Sequence, residues 1–182
     1  ALFFTRWITY LCAPIFVFLA GTSAFISLKN KNNFTETRKY LLKRGFWLII
    51  LEFTLVNFAI YFDIGFHTLL FEVIAAIGFG FIILSLLLKL SEKSLGIVGL
   101  IIIFCHNLTP LIPFAESSVL RTVLMPFFAP TAIPLFAGKV FVMGYPPIPW
   151  LGIMLIGFSC GKLFLSEGIH QKKIFIKLVI AA

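Results

Sequence analysis

Residues 41–58 read Leu41-Leu42-Lys43-Arg44-Gly45-Phe46-Trp47-Leu48-Ile49-Ile50-Leu51-Glu52-Phe53-Thr54-Leu55-Val56-Asn57-Phe58. After the basic pair, one carboxylate and one amide interrupt an otherwise apolar run. Taken from Tyr40 to Phe62, the stretch reaches the ~20 residues that carry a helix across ~30 Å of hydrocarbon. A charge at that depth costs ~2.5–3.5 kcal/mol even on the lenient insertion scale, so Glu52 needs a partner.

Working outward, four more apolar runs follow the same plan: Trp7–Leu28, Thr68–Leu90, Leu95–Leu108 and Ile148–Leu165. The whole chain agrees. Of its 182 residues 60% are hydrophobic and 12% charged, with mean hydropathy +1.07; a soluble domain carries nearly twice that share of charge. The expected fold class is all-α, a polytopic transmembrane bundle of about five spanning helices forming one domain over 1–182. The opening at Ala1 and the apolar close at Ala182 read as the edges of a fragment of a longer polytopic protein.

The stretch Ala115–Pro147 is apolar, yet Pro126, Pro130 and Pro134 recur through it, followed by Gly138, Gly144, Pro146 and Pro147. Repeated prolines delete backbone donors and clash with the preceding turn. The stretch is expected to be a non-spanning extracytoplasmic cap, with extended pieces flanking Ala137-Gly138-Lys139. Charge supports this independently. With a non-spanning cap, Lys29, Lys31, Arg38, Lys39, Lys43, Arg44, Lys89, Lys93, Lys162, Lys172, Lys173 and Lys177 share one side, against Arg6, Arg121 and Lys139 on the other. The positive-inside rule assigns the first set to the cytoplasm.

The net charge of +8 therefore belongs to short loops and does not point to nucleic acid. Cys12, Cys105 and Cys160 form no CxxC and read as small packing residues. Three scattered histidines without HxxxH or HExxH make no metal set. Gly157-Phe158-Ser159-Cys160-Gly161 is a small-xxx-small pattern, the mark of tight helix packing.

The polar residues gather in one leaflet. Arg6 and Tyr10 enter the first span, Asn57 and Asp63 close the second, Glu72 opens the third, and His106-Asn107 ends the fourth, with Glu52 placed centrally. Asn57 stands about 140° from Glu52 on an ideal helix, so the two should have different partners. Trp150, Tyr145 and Trp47 suit the aromatic belt. Ordinary helix ends, a structural ion pair at Glu52 and a C-terminal cap at His106-Asn107 compete with functional readings. Physics alone stops at an outward polar pocket, which a transporter and a membrane transferase would both have.

Phe3-Phe4-Thr5-Arg6-Trp7-Ile8-Thr9-Tyr10 followed by CAPIFVFLAGTSAF, then LLKRGFWLIILEFTLVNF at 41–58, His106-Asn107 and GYPPIPWLGIMLIGFSCGKLF at 144–164 resemble, in order, the heparan-alpha-glucosaminide N-acetyltransferase catalytic-domain family, bacterial branch. Two departures stand out: many relatives carry His where Tyr10 stands, and Gly where Cys105 precedes His106. The family's opening Asp/Arg-Gly helix would precede Ala1. The resemblance implies a bacterial inner-membrane acyltransferase that moves acetyl from acetyl-CoA to a sugar amine or hydroxyl on the extracytoplasmic side. Its partners would be acetyl-CoA, a glycan acceptor and membrane lipid, with no metal; homo-oligomer formation stays open. By position rather than by resemblance, His106, the one histidine inside an apolar span, and Glu72 at the same depth are the expected catalytic pair, with Arg6, Tyr10, Glu52, Asn57, Asn107 and Trp150 as the substrate-binding set. The alternative is a transporter or export component for a glycan or lipid-linked sugar, with Glu52 and Glu72 as substrate or proton sites.

On this topology, an impermeant thiol reagent applied to intact cells should label a single cysteine at position 117 and spare one at position 32. The reverse pattern would overturn the orientation.

Overall fold

Seven helices and three short strands make up the computed structural model, which describes residues 2–31, 33–106 and 119–165. Helix α1 (Leu2–Lys31) ends in Lys29 and Lys31. Helix α2 (Phe34–Leu51) starts where Asn33, in extended conformation, accepts hydrogen bonds from the N–H groups of Thr35 and Glu36, satisfying donors that a helix start leaves bare. A π-helical turn (Glu52–Val56) and α3 (Asn57–Tyr61) prolong it. Strand β1 (Thr68–Phe71) precedes α4 (Val73–Leu87), and α5 (Glu92–His106) follows. Beyond lie α6 (Val119–Phe128), β2 (Thr131–Pro134), a 3₁₀ turn (Phe136–Gly138), β3 (Val140–Met143) and α7 (Pro147–Phe164).

Among the described residues, three stretches are long and apolar enough to cross a bilayer: Leu11–Lys31, Phe34–Tyr61 and Pro147–Phe164. Helices α4 and α5, of 15 residues each, reach only about 22 Å.

The chain is mostly helical, as expected, with one small sheet that the all-α reading did not include. Thr68–Phe71 is a strand, so the third apolar run is not one helix. It pairs in parallel with β3, with Phe71 opposite Met143, and β3 pairs antiparallel with β2, with Ile133 opposite Phe141. Thr68, Leu69, Leu70 and Phe71 read as well for a buried strand as for a helix turn, and only the presence of β3 decides between them. The Ala115–Pro147 stretch also contains α6, with Pro126 inside its last turn.

Helix α7 is the axis, packed on α1, α4 and α5, while α2 packs on α4. Their shared core holds Phe25, Leu41, Phe81, Leu95, Met154 and Phe158, all 2% exposed or less. Glycines let the backbones touch. A Cβ on Gly157 would strike the Phe18 backbone, one on Gly45 would lie 2.6 Å from the Gly78 carbonyl oxygen, and one on Gly99 2.7 Å from that of Gly152. The small-xxx-small pattern is therefore a packing face, as expected: Gly157 meets Phe18 and Gly161 meets the Phe25 ring. Where helices approach this closely, Thr22 donates to the Gly157 carbonyl at 3.1 Å. Between helices that already sit in apolar surroundings, such contacts and close van der Waals packing supply the association energy.

The bundle has two unlike ends. At the basic end Lys29 pairs with Glu92 at 3.0 Å, Lys31 lies over the Tyr40 ring and Arg44 over Phe81. In the latter two contacts the cationic group itself sits over the ring face, 4.4 Å from the Tyr40 centroid and 5.3 Å from that of Phe81, where the ring's negative face attracts it. The small sheet and the start of α4 lie at the opposite end.

Replacing Gly157 by Ala forces the added methyl into the α1 backbone, and overpacking of this kind costs about 1–3 kcal/mol. Gly157→Ala should lower the thermal unfolding midpoint in detergent, whereas Gly138→Ala, with open space around its Cβ position but a positive φ of 70°, should have a smaller effect.

Candidate polar site at the strand-to-helix elbow

Glu52 is fully buried. The N–H of Ala75 donates to its Oε2 at 3.0 Å, and the N–H groups of Ile74 and Glu72 act on the same carboxylate. Ala75 is the third residue of α4, so Glu52 caps that helix from another segment. The residue in the capping position, Glu72, makes no side-chain capping bond. A helix N-terminus carries partial positive charge and unpaired N–H donors, both of which favour an anion there. The Oε1 oxygen is buried and has no hydrogen bond among the described residues.

Asn57 is the second anchor, 1% exposed. Its Nδ2 donates to the carbonyls of Glu52 and Leu70, each at 2.9 Å, and its Oδ1 accepts from the Leu70 N–H at 2.7 Å. The amide thus acts as one more strand residue beside β1. The π turn makes this possible: the Asn57 N–H bonds back to the Glu52 carbonyl five residues earlier, so both side chains face one elbow rather than standing 140° apart. Their partners still differ, Ala75 for one and Leu70 for the other. Because α2 starts at Phe34, Glu52 lies about two thirds along the 28-residue stretch Phe34–Tyr61, on the elbow side of its centre.

Glu72 sits at the elbow, half-buried. Across from it, Gly144 and Tyr145 donate their N–H groups to the Phe71 carbonyl at 3.0 and 3.3 Å. The Tyr145 hydroxyl is pushed above its ordinary pKa by burial, then by the negative charge of Glu72 and by Cys12, which brings α1, α4 and the start of α7 to one place. Trp150 stacks on Tyr145 with ring centroids 4.9 Å apart and packs against both hydrophobic cores. It therefore faces inward and does not stand as an isolated belt aromatic. In the loop before β1, Asp63 accepts from the Gly65 and His67 N–H groups and pairs with the His67 ring at 2.8 Å. These bonds, the His67 N–H first, hold the Asp63 carboxyl below its usual range.

His106 is the last residue of α5 and half-buried. The Gly99–Gly152 contact sets α5 antiparallel to α7, which puts His106 level with the start of α7. Arg6 and Tyr10 fall in the first turns of α1; Asn107 lies outside the described residues. Of the expected site residues, the fold joins Glu52, Asn57, Glu72 and Trp150 around one elbow. Tyr145 and Cys12 join them without having been singled out for the site. A clue to Tyr145 lies in its position just ahead of Pro146-Pro147, at the head of a span. No group of three or more potential metal ligands occurs among the described residues.

Two cavities flank this core. One, about 490 Å³, opens at the basic end between Leu28, Lys29, Phe34, Lys89, Ser91 and Lys93. The other, about 500 Å³, is apolar and is walled by Phe53, Phe71, Phe127, Ile133, Phe141 and Met143.

Replacing Glu52 by Leu would strip the α4 N-terminus of its acceptor, at about 1–3 kcal/mol for each N–H left bare. Glu52→Leu should therefore lower the thermal midpoint in detergent strongly, and Glu52→Gln, which keeps one carbonyl oxygen, only mildly. Equal midpoints for Glu52→Leu and the parent would remove the capping role.

No curated protein and no solved structure matches the chain. The family model described as Heparan-alpha-glucosaminide N-acetyltransferase, catalytic, matches residues 2–180, and with its apolar helices the chain is an integral membrane protein belonging to that N-acetyltransferase family.

Proposed function

We propose that this protein transfers acetyl from acetyl-CoA to the amine or hydroxyl of a sugar at the elbow end of the bundle, with that end extracytoplasmic in a bacterial inner membrane. The family match over 2–180 carries this reading. The separation of the two ends supports it. The basic-end cavity offers Lys89 and Lys93 beside the Lys29–Glu92 pair, cations suited to the phosphates of CoA, whereas the elbow end offers Glu72 and Tyr145 as groups for a sugar.

In the reaction, the acceptor nitrogen or oxygen bonds to the thioester carbonyl carbon while its proton passes to a base, and the C–S bond then breaks to release the CoA thiol. His106 has the right chemistry for the base, since an imidazole titrates near neutrality. Glu72, close by in depth, would orient the acceptor or hold the imidazolium, and Arg6, Tyr10 and Asn107 would complete the sugar and oxyanion contacts. Glu52 and Asn57 serve by holding the elbow, and Trp150 by backing Tyr145.

The test is the whole protein in proteoliposomes with labelled acetyl-CoA and an amino sugar. Acetylated sugar should form, and His106→Ala should lower turnover by roughly 10²–10⁴-fold with donor binding retained. Sugar uptake without acetyl transfer would instead support a transporter.

A further inference from the structure

We propose that the basic-end cavity is a site for an anionic phospholipid, its phosphate held by Lys89 and Lys93 and the start of its acyl chain laid against Phe34 and Leu90. The lipid site stands apart from the acetyl-transfer reading. Only its consequence rests on that reading: Lys89 and Lys93 are also the cations offered to the donor's phosphates, so donor and lipid would compete for them.

The cavity joins charge to hydrocarbon. Among the described residues, its charged lining consists of Lys29, Lys89, Glu92 and Lys93, three cations against one carboxylate. Lys29 and Glu92 offset each other in their 3.0 Å pair, so the excess positive charge belongs to Lys89 and Lys93, both exposed. The same pair ties the end of α1 to the start of α5 and fixes one side of the cavity. Apolar side chains supply the rest. Leu88 and Phe158, 4% and 2% exposed, belong to the core, whereas Phe34 and Leu90 are 58% and 47% exposed beside the lysines. Phe158 lies well before the last residue of α7, Phe164, about 9 Å along the axis. The cavity therefore runs from the helix ends into the apolar bundle.

Together these features select an amphiphilic anion. Lysines at the ends of membrane helices stand at the boundary between headgroups and hydrocarbon, and a cavity that begins at them and ends on Phe158 crosses that boundary. A soluble phosphate would meet the lysines and leave Phe34 and Leu90 uncovered. A phospholipid meets both, with its phosphodiester on the ammonium groups and its glycerol and first methylenes on the apolar walls. Basic pockets between membrane helices hold anionic headgroups in this way. A zwitterionic lipid brings its own cation, which the excess positive charge opposes. The volume of about 490 Å³ is that of a small-molecule site, roughly 300–1,000 Å³, and admits a headgroup with the beginning of a chain.

The test uses the whole protein in phosphatidylcholine nanodiscs with a small fraction of phosphatidylglycerol that carries a photoreactive diazirine on its acyl chain, close to the glycerol. Adducts should map to Phe34 and Leu90, and the same diazirine on phosphatidylcholine should give about tenfold fewer. Lys89→Ala combined with Lys93→Ala should cut the phosphatidylglycerol adducts about tenfold, and Lys89→Arg with Lys93→Arg should retain them. Lys39→Ala combined with Lys43→Ala, at the same end but off the cavity lining, should leave them nearly unchanged. Equal adducts from the two lipids, or equal losses from the two alanine pairs, would overturn the proposal, since general attraction of basic loops for anionic lipid would then explain the labelling. Protection of Lys89 and Lys93 from an amine reagent by coenzyme A, with no lipid adduct, would also overturn it and leave the donor reading intact. Adducts undiminished at saturating coenzyme A would keep the lipid site and remove the donor's phosphates from this cavity. Adducts in a protein that transfers no acetyl group would keep the lipid site and remove the enzyme.

Discussion

A single carboxylate, that of Glu52, sits on the N-terminal amides of a helix it does not belong to. Because it caps α4 from across the bundle, α4 can begin inside the protein without leaving its first N–H groups bare. In an apolar medium those groups have no water to turn to, and non-helical backbone survives only where protein surrounds it. Once α4 begins at Val73, the preceding Thr68–Phe71 is free to extend as a strand. That strand in turn needs partners on both edges. One edge is served by β3 and the other by the Asn57 amide. The carboxylate, the amide and the sheet thus stand or fall together.

The π turn links these parts. A regular helix through residues 52–57 would aim Glu52 and Asn57 in different directions. The wider turn points both at the β1–α4 elbow, and Asn57 repays the distorted backbone by donating to the Glu52 carbonyl. Such insertions persist where the surrounding structure uses the redirected side chains. Here they hold the backbone on which Glu72 is mounted. The glycine contacts at Gly45, Gly78, Gly99, Gly152 and Gly157 have a complementary role. They bring α1, α2, α4, α5 and α7 to backbone contact, so that the elbow is closed on a rigid frame.

Separation of charge gives the bundle its direction. Lys29, Lys31, Arg44, Lys89 and Lys93 gather at one end, with Glu36 and Glu92 among them, and Asp63, Glu72, Tyr145 and the sheet lie at the other with Lys139 beside β3, the α4 helix, about 22 Å long, standing between them. The proposed acetyl transfer, with an anionic donor on one side and a sugar on the other, would use this asymmetry.

The sequence by itself determined that the chain lives in a bilayer, because its 60% hydrophobic content leaves no polar shell for water. It also marked the long helices, the glycine face around Gly157 and the demand that Glu52 be paired, since each follows from local composition or from the energy of a charge at depth. The motifs at 3–25, 41–58, 106–107 and 144–164 carried the resemblance to the family. Only the tertiary structure decided that Thr68–Phe71 is a strand, because its β propensity is met by Val140–Met143, some seventy residues away. It alone decided what Glu52 pairs with: a carboxylate's need is local, but a helix N-terminus that can meet it is created by folding.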